Sequence, residues 1–194
     1  MIAWSIWILA YIAGSIPCGA IIARSRNINI QEHGSGNIGA TNVARTLGKK
    51  AGALTLIGDC LKGLLPVAVA DQVLNDSTQI AVTGFIAFIG HIFSVFLRFK
   101  GGKGVATGFG IFIYLMPWAA SCSMIVFALT LILTGYVSAS SILATLALPA
   151  TGAWLGATQP YVFSSVAVAL IVVQKHHGNI HRLINGTETK FLKK

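Results

Sequence analysis

A long uncharged stretch constrains this chain more than any other feature. Residues 104–174 contain no Lys, Arg, Asp or Glu. A soluble domain carries roughly 25% charged residues, whereas this chain of 194 residues is only 10% charged and is 55% hydrophobic. The composition excludes an ordinary soluble domain. It predicts an all-α, polytopic membrane helix bundle that forms one integral membrane domain over residues 1–194.

The apolar runs predict how many times the chain crosses the membrane. A spanning helix needs about 20 apolar residues. Three runs of this kind precede the uncharged stretch, at residues 3–23, 51–70 and 80–97. A kink is expected in the first run, at residues 14–17. Polar or proline breaks divide the uncharged stretch into four short pieces, 105–116, 118–134, 142–155 and 161–173. Four crossings there give seven spans, which is the prediction, and two crossings with re-entrant pieces give five as the alternative.

The basic residues predict the orientation. Lys and Arg collect in residues 24–50, in residues 98–103 and in the tail from residue 175, whereas residues 71–79 carry two Asp and no base. Because cytoplasmic loops carry an excess of Lys and Arg, we expect the N-terminus outside and the C-terminus in the cytoplasm. The net charge of +9 could suggest a nucleic-acid partner, but its clustering between apolar runs argues against one. The membrane topology explains the positive charge, either alone or together with the binding of an anionic substrate.

The first polar segment, residues 34–45, combines glycines with hydrogen-bonding side chains. Glycine permits close backbone approach, and a turn of exposed N–H groups beside an Arg can cradle an anion. A flexible connector is the alternative, but the density of polar groups favours a functional loop. The candidate residues are Gly34, Ser35, Gly36, Asn37, Thr41, Asn42 and Arg45.

The second polar segment, Lys-Gly-Gly-Lys-Gly at residues 100–104, leads directly into an apolar run. It can place backbone amides and a lysine around a phosphate at a helix N-terminus. It lacks the GxxxxGK[ST] pattern of a P-loop, and a lysine at a membrane end is often only a topology anchor. The candidates are Gly101, Gly102, Lys103 and Gly104.

Two further polar segments lie on the same predicted side of the membrane. The serines of residues 135–141, including Ser141, can bond a ligand or satisfy helix ends. In residues 175–188, His176 and Asn179 are three apart, a spacing that suits substrate binding or proton transfer. No acid lies close among the histidines of this segment, which argues against a metal site.

Polar residues also occur inside the predicted spans, where they are costly. Asp59 and Lys62 lie three apart on one helical face and are expected to pair in a structural role. His91, near the cytoplasmic end of the third run, is either a core residue or a functional one. The overall pattern predicts a cytoplasmic site for a small phosphate and a lipid-like co-substrate. A transporter remains an alternative, as does a membrane kinase or phosphatase, which would need carboxylates for Mg²⁺.

These motifs resemble those of the bacterial acyl-phosphate:glycerol-3-phosphate acyltransferases, over essentially the whole chain. The resemblance rests on residues 34–42 with Arg45, on Phe-Lys-Gly-Gly-Lys-Gly-Val-Ala-Thr at residues 99–107, and on a set in the tail. That set comprises His176, Asn179, Arg182 and Glu188. The chain departs from the family pattern at Ser94, Gly135 and Gly178.

The resemblance implies a function and a set of residue roles. The enzyme would move a fatty acyl group from acyl phosphate to the sn-1 hydroxyl of glycerol 3-phosphate, giving 1-acyl-glycerol 3-phosphate and inorganic phosphate. This is the first step of phospholipid synthesis, at the bacterial inner membrane, with the active site facing the cytoplasm. The motifs and the resemblance together give the following assignments: Ser35, Arg45, Lys103, His176 and Asn179 catalytic; Gly34, Gly36, Asn37, Thr41, Asn42, Gly101, Gly102, Gly104 and Ser141 substrate-binding; Asp59, Lys62, His91 and Glu188 structural.

The implied partners are acyl phosphate, glycerol 3-phosphate and membrane lipid, with the acyl-phosphate-forming enzyme as a transient partner. No cofactor, metal or nucleic acid is expected. The sequence leaves the proton acceptor open between His176 and a substrate phosphate oxygen. It slightly favours the phosphate, because no carboxylate flanks His176 to hold its tautomer. A covalent acyl-Ser35 intermediate is a third option.

Overall fold

A computed structural model describes residues 2–191, which are helical throughout their regular segments and contain no strand. The chain divides into two compact units, Met1–Tyr114 and Leu115–Lys194. The predicted single domain therefore stays a prediction, and residues 192–194 of the basic tail lie outside the described part.

The first unit begins with a broken helix. Helix α1 spans Ile2–Ser15 and helix α2 spans Cys18–Arg24, with a bend of 41° between them. The break falls at Pro17, which has no N–H to continue the helix, so the kink predicted at residues 14–17 is confirmed. The carbonyl oxygens freed by the break find donors elsewhere. Ser94 Oγ donates to the Ser15 carbonyl at 2.5 Å, and Lys62 Nζ donates to the Ile16 carbonyl at 2.7 Å.

Four more helices follow in this unit. Their bounds are Ala40–Leu47 for α3, Lys49–Val73 for α4, Ser77–Ile92 for α5 and Val105–Leu115 for α6. Small residues bring their backbones close together, as is common between membrane helices. A Cβ at Gly14 of α1 would overlap the Ala87 carbonyl of α5, and one at Gly63 of α4 would overlap the Thr107 carbonyl of α6. These contacts pack α1 on α5 and α4 on α6.

The second unit contains four helices, with bounds Pro117–Thr134 for α7, Val137–Trp154 for α8, Gln159–Lys175 for α9 and His177–Ile184 for α10. Helices α7 and α9 each begin with a proline in the first turn, where its missing N–H costs nothing. The polar break predicted at residues 135–141 is too long. Helix α8 already begins at Val137, so Ser141 lies on a helix rather than in a loop.

Helix length and composition support a polytopic membrane protein. Among the described residues, four segments are long and apolar enough to cross a bilayer, Lys49–Val73, Ser77–Leu97, Pro117–Thr134 and Val137–Trp154, and α1 with α2 makes a fifth. Helix α6 is a shorter apolar helix of about 16 Å. Helix length thus does not confirm the predicted seven spans. It does confirm the predicted class, an all-helical membrane protein.

Candidate active site

The first polar segment folds around one buried amide. Asn42, on α3, is 2% exposed. Its Oδ1 accepts a hydrogen bond from the Ser35 N–H at 3.0 Å, and its Nδ2 donates to the carbonyls of His33 at 2.9 Å and Asn37 at 2.8 Å, with a longer contact of 3.4 Å to Ile30. The side chain predicted to bind substrate is occupied with holding the loop. The sequence pattern did not distinguish these two roles.

The shape of this loop requires two of its glycines. Gly34 and Gly36 have φ of 59° and 69°, a region that costs residues with a side chain roughly 1–2 kcal/mol. Asn37 Oδ1 accepts the Gly39 N–H at 3.0 Å and closes a local turn before α3. Together with Asn42, these features fix the backbone without help from a substrate.

Two predicted catalytic residues lie on the outside of this loop. Ser35 and Arg45 are both exposed, although the loop around them is tightly bonded. Arg45 occurs in the last turn of α3, and Thr41 is half-buried in the first turn of the same helix. The loop thus has Ser35 and Arg45 on its surface, whereas Asn42 lies inside it.

The glycine-rich loop is fixed by the C-terminal end of α5. The Gly101 N–H donates to the Ile92 carbonyl at 3.2 Å, and the Gly102 N–H donates to the His91 carbonyl at 3.1 Å. These two amides are consequently bonded within the protein, so the predicted phosphate cradle cannot use them as they stand. The N–H groups of the first turn of α6 lack acceptors within their own helix, and Lys103 comes two residues before that helix begins.

The two loops of the first unit contact each other. Gln31 Nε2, from the segment before Gly34, donates to the Lys100 carbonyl at 3.3 Å. The structure thus brings together the segment carrying Ser35 and Arg45 and the segment carrying Lys103. Gln31 was not singled out by the sequence pattern, because a glutamine in a polar loop has no distinguishing signal.

Beneath the glycine-rich loop lies a buried cluster of charged and polar groups. Lys62 Nζ contacts Asp59 Oδ1 at 2.7 Å, which confirms the predicted pair. His91 Nδ1 lies 3.1 Å from Thr107 Oγ1 and 3.9 Å from Asp59 Oδ1. Thr107 was not predicted, although it stands in the motif of residues 99–107. We call these four residues, Asp59, Lys62, His91 and Thr107, the buried cluster.

In the second unit, one carboxylate joins three segments. Glu188 Oε1 accepts hydrogen bonds from Ser138 Oγ at 2.7 Å and Asn179 Nδ2 at 2.6 Å, and Glu188 Oε2 accepts one from Arg182 Nε at 2.7 Å. Burial alone would raise the pKa of Glu188, but the hydrogen bonds from Ser138, Asn179 and Arg182 outweigh it and lower the pKa below 4.5. Glu188 therefore stays ionised and ties α10 to the start of α8.

The histidine of the tail has a fixed tautomer. His176 lies between α9 and α10 and is 3% exposed, and its Nδ1 is 2.8 Å from the Val172 carbonyl. A carbonyl oxygen only accepts, so Nδ1 carries the proton and Nε2 is the nitrogen that can accept one. The sequence shows no flanking carboxylate that would hold this tautomer. A backbone carbonyl does so, and side-chain patterns do not show backbone partners.

The predicted residues thus divide between the two units. The first unit holds Ser35, Arg45, Lys103 and the buried cluster. The second unit holds Ser141, His176, Asn179 and Glu188, with Ser141 buried on α8. Asn179 has its Nδ2 directed to Glu188, so part of its hydrogen-bonding capacity is already committed to holding the tail.

Known proteins match this chain over nearly its whole length. The family model described as glycerol-3-phosphate acyltransferase matches residues 4–186. The chain belongs to the glycerol-3-phosphate acyltransferase family. Relatives of that name in Geotalea daltonii and Trichlorobacter lovleyi are 49% and 47% identical to it. The first alignment covers 94% of each chain, and the second covers 98% of this chain and 99% of the relative.

Solved structures of this family share the fold. A crystal structure of PlsY (YgiH), an integral membrane glycerol 3-phosphate acyltransferase in its glycerol 3-phosphate form, matches with a TM-score of 0.96 at 37% identity. The match covers 99% of this chain and 96% of that one. The lysophosphatidic acid form matches with a TM-score of 0.93. These findings confirm the predicted family, the acyltransferase class and the integral membrane location, so the transporter and kinase or phosphatase alternatives are set aside.

Proposed function

We propose that this acyltransferase takes its acyl group from acyl phosphate and transfers it to the sn-1 hydroxyl of glycerol 3-phosphate, releasing inorganic phosphate. The observation that carries the proposal is the match to PlsY structures in glycerol 3-phosphate and lysophosphatidic acid forms, whose names give an acceptor and a product of this reaction. The polar loops of the first unit supply the groups that such phosphates require.

Phosphate binding is assigned to Lys103 and the start of α6. The N-terminal turn of a helix presents unpaired N–H groups and a partial positive charge, and the side chain of Lys103 adds a full positive charge. Gly101 and Gly102 shape the loop through their bonds to α5, and Gly104 leads into the helix. This assignment suits glycerol 3-phosphate, the ligand that the resemblance gives to this loop.

Binding of the second phosphate group, that of acyl phosphate, is assigned to Arg45 and Ser35. An exposed guanidinium binds phosphate oxygens in pairs, and the serine hydroxyl can donate one further bond. Among residues 2–191, no side chain bonds the Ser35 hydroxyl, so no base activates it for attack. We therefore assign Ser35 to substrate binding and not to a covalent acyl-enzyme.

Acyl phosphate is already activated, so the enzyme's main tasks are positioning and charge stabilisation. The glycerol hydroxyl attacks the carbonyl carbon, and the bond from that carbon to the phosphate oxygen breaks. A non-bridging phosphate oxygen can take the hydroxyl proton through a six-membered ring, so the departing group leaves as hydrogen phosphate. His176 then keeps the substrate-binding role that the resemblance gives it, and the proton does not pass to its imidazole.

We further propose seven crossings, with the N-terminus outside, the C-terminus in the cytoplasm and this site at the cytoplasmic face of the bacterial inner membrane. This orientation puts the basic residues of 24–50, 98–103 and the tail on one side. Seven crossings require that α6 and α9 also span the membrane. Because α6 is short, the bilayer would have to be thinner around it. We retain one integral membrane domain as part of this proposal, with the acyl-phosphate-forming enzyme as a transient partner.

The test follows phosphate release from palmitoyl phosphate by the purified protein, with glycerol 3-phosphate present and with CoA and metal omitted. We expect release that depends on glycerol 3-phosphate and that yields lysophosphatidic acid. Arg45→Ala and Lys103→Ala should each lower it by about 100-fold. Lys50→Ala, which removes an exposed lysine at the start of α4, is the matched control and should stay active. Absence of release from folded protein would refute the acyl phosphate donor.

The proton acceptor has its own test. If a phosphate oxygen takes the proton, His176→Gln should raise KM and keep most of kcat, because glutamine can still bond a substrate group. A fall in kcat of about 100-fold or more with unchanged KM would instead identify His176 Nε2 as the base.

A further inference from the structure

The buried cluster contains three ionisable residues for which the proposed reaction has no direct use. They lie directly beneath the glycine-rich loop, and their contacts reach both ends of it. His91 belongs to the last turn of α5, whose carbonyls hold the amides of Gly101 and Gly102. The backbone of His91 therefore already fixes one end of the loop.

The ring of His91 fills the space under Gly102. A Cβ built at Gly102 would overlap Nε2, and the three atoms nearest to that Cβ all belong to this one ring. The φ of Gly102 is not in the left-handed region, so its backbone would accept a side chain. Contact with His91 is thus the reason for a glycine at this position.

The far side of the same ring is held by α6. Thr107 Oγ1 lies 3.1 Å from His91 Nδ1, and Thr107 is fully buried. The ring consequently spans the loop from Gly102 at one end to the first turn of α6 at the other. Lys103 lies between these two contacts in the sequence.

Helix α4 fixes the cluster from below. Asp59 pairs with Lys62, and Lys62 also donates to the Ile16 carbonyl at the break between α1 and α2. Asp59 Oδ1 comes within 3.9 Å of His91 Nδ1. Three helices, α4, α5 and α6, and the break therefore meet around one imidazole, which leaves the ring little freedom to turn.

We propose that His91, bonded to Thr107 and close to Asp59, is a positioning residue that sets where Gly102 and Lys103 stand for glycerol 3-phosphate. The inference rests on the proposed role of this loop. It goes beyond a purely structural role, because the cluster then controls the affinity for one substrate and not only the stability of the bundle.

The main test is Thr107→Val, which keeps the shape of the side chain and removes its hydroxyl. Loss of one buried hydrogen bond should raise the KM for glycerol 3-phosphate by about tenfold and leave the KM for acyl phosphate within about twofold. Thr107→Ser keeps the hydroxyl and should restore the wild-type value. Thr83→Val is the matched control, since Thr83 is equally buried on α5 and bonds only the Gln79 carbonyl of its own helix.

A second test uses the contact between His91 and Gly102. Gly102→Ala should raise the same KM, and the rise should be much smaller when His91→Ala is also present, because the ring that obstructs the Cβ is gone. The inference is overturned if Thr107→Val and Thr83→Val change the kinetics alike, or if the Gly102 and His91 effects simply add. An inactive wild-type protein would instead refute the proposed function itself.

Discussion

The bonds to Glu188 allow a quantitative prediction about the tail. A hydrogen bond to a charged acceptor contributes about 1.5–3 kcal/mol. Ser138 and Asn179 are buried, at 6% and 8% exposure, so their two bonds together contribute roughly 3–6 kcal/mol. Arg182 is 46% exposed, and solvent screening reduces its contribution to under about 1 kcal/mol. Glu188→Ala should therefore destabilise the folded protein by roughly 3–6 kcal/mol.

Glu188→Gln should destabilise the folded protein about half as much as Glu188→Ala does. The amide oxygen still accepts from both buried donors, but bonds to a neutral acceptor are about half as strong as those to a carboxylate. For a chain of this size, 1 kcal/mol corresponds to roughly 2–4 °C in Tm. Thermal unfolding in detergent, followed by tryptophan fluorescence, measures both shifts. Glu32→Gln removes the charge of an exposed carboxylate and leaves an amide oxygen that can still accept the bond from Asn29, so it is the control for loss of charge.

The same carboxylate gives a pH dependence with a defined sign. The pKa of Glu188 is lowered in the folded protein, so the unfolded chain binds more protons in that range. The stabilisation is present above pH 4.5 and is lost as the pH falls through the lower folded-state pKa. The difference in Tm between wild type and Glu188→Gln should therefore shrink below pH 4.5. A difference that stays constant, or a Glu188→Ala shift no larger than that of Glu32→Gln, would refute the reasoning.

Three further predictions concern stability and use the same unfolding measurement. Lys62→Met should lower the free energy of unfolding by about 3–5 kcal/mol, because it leaves the Asp59 carboxylate buried and unpaired. Adding Asp59→Asn to this variant should recover part of the lost stability. Asp76→Ala should cost about 1 kcal/mol, since Asp76 caps α5 by accepting from the N–H groups of Thr78 and Gln79. Arg98→Gly should raise the free energy of unfolding by about 0.5–1 kcal/mol, because Arg98 has a φ of 51° and its side chain is exposed. An unchanged free energy of unfolding would mean that this turn is not strained.

Features that depend on neighbours in the sequence were predictable. The kink at Pro17 follows from a missing N–H group, and the pair of Asp59 and Lys62 follows from a spacing of three on one helix. Helices α4 and α7 have bounds within three residues of the predicted runs, because a span needs a continuous apolar run, whereas α5 ends five residues before its predicted run does.

Features that depend on tertiary contacts were not predictable. Helices α3 and α10 have eight residues each, too few to be stable alone, and they carry polar residues on one side. The bond between Ser138 and Glu188 joins residues 50 positions apart. The partner that fixes the tautomer of His176 is a backbone carbonyl, for which no residue type is a signal.

Burial separates two roles that the sequence placed together. Asn42, His91 and Glu188 are polar but largely buried, and each bonds a loop or a tail segment. Ser35 and Arg45, in the same stretch as Asn42, are exposed. A buried polar side chain that holds a loop affects folding and activity together, whereas an exposed one that contacts substrate affects activity alone.

Asn42→Ala and Ser35→Ala test this separation within a single loop. Asn42→Ala removes the acceptor for the Ser35 N–H and the donor for two carbonyls, so the free energy of unfolding should fall by at least about 2 kcal/mol and activity should fall with it. Ser35→Ala should leave the unfolding free energy within about 0.5 kcal/mol of wild type, yet lower phosphate release by about 100-fold. If Ser35→Ala unfolds as easily as Asn42→Ala, the serine holds the loop as well. Its assignment to substrate would then lose its support.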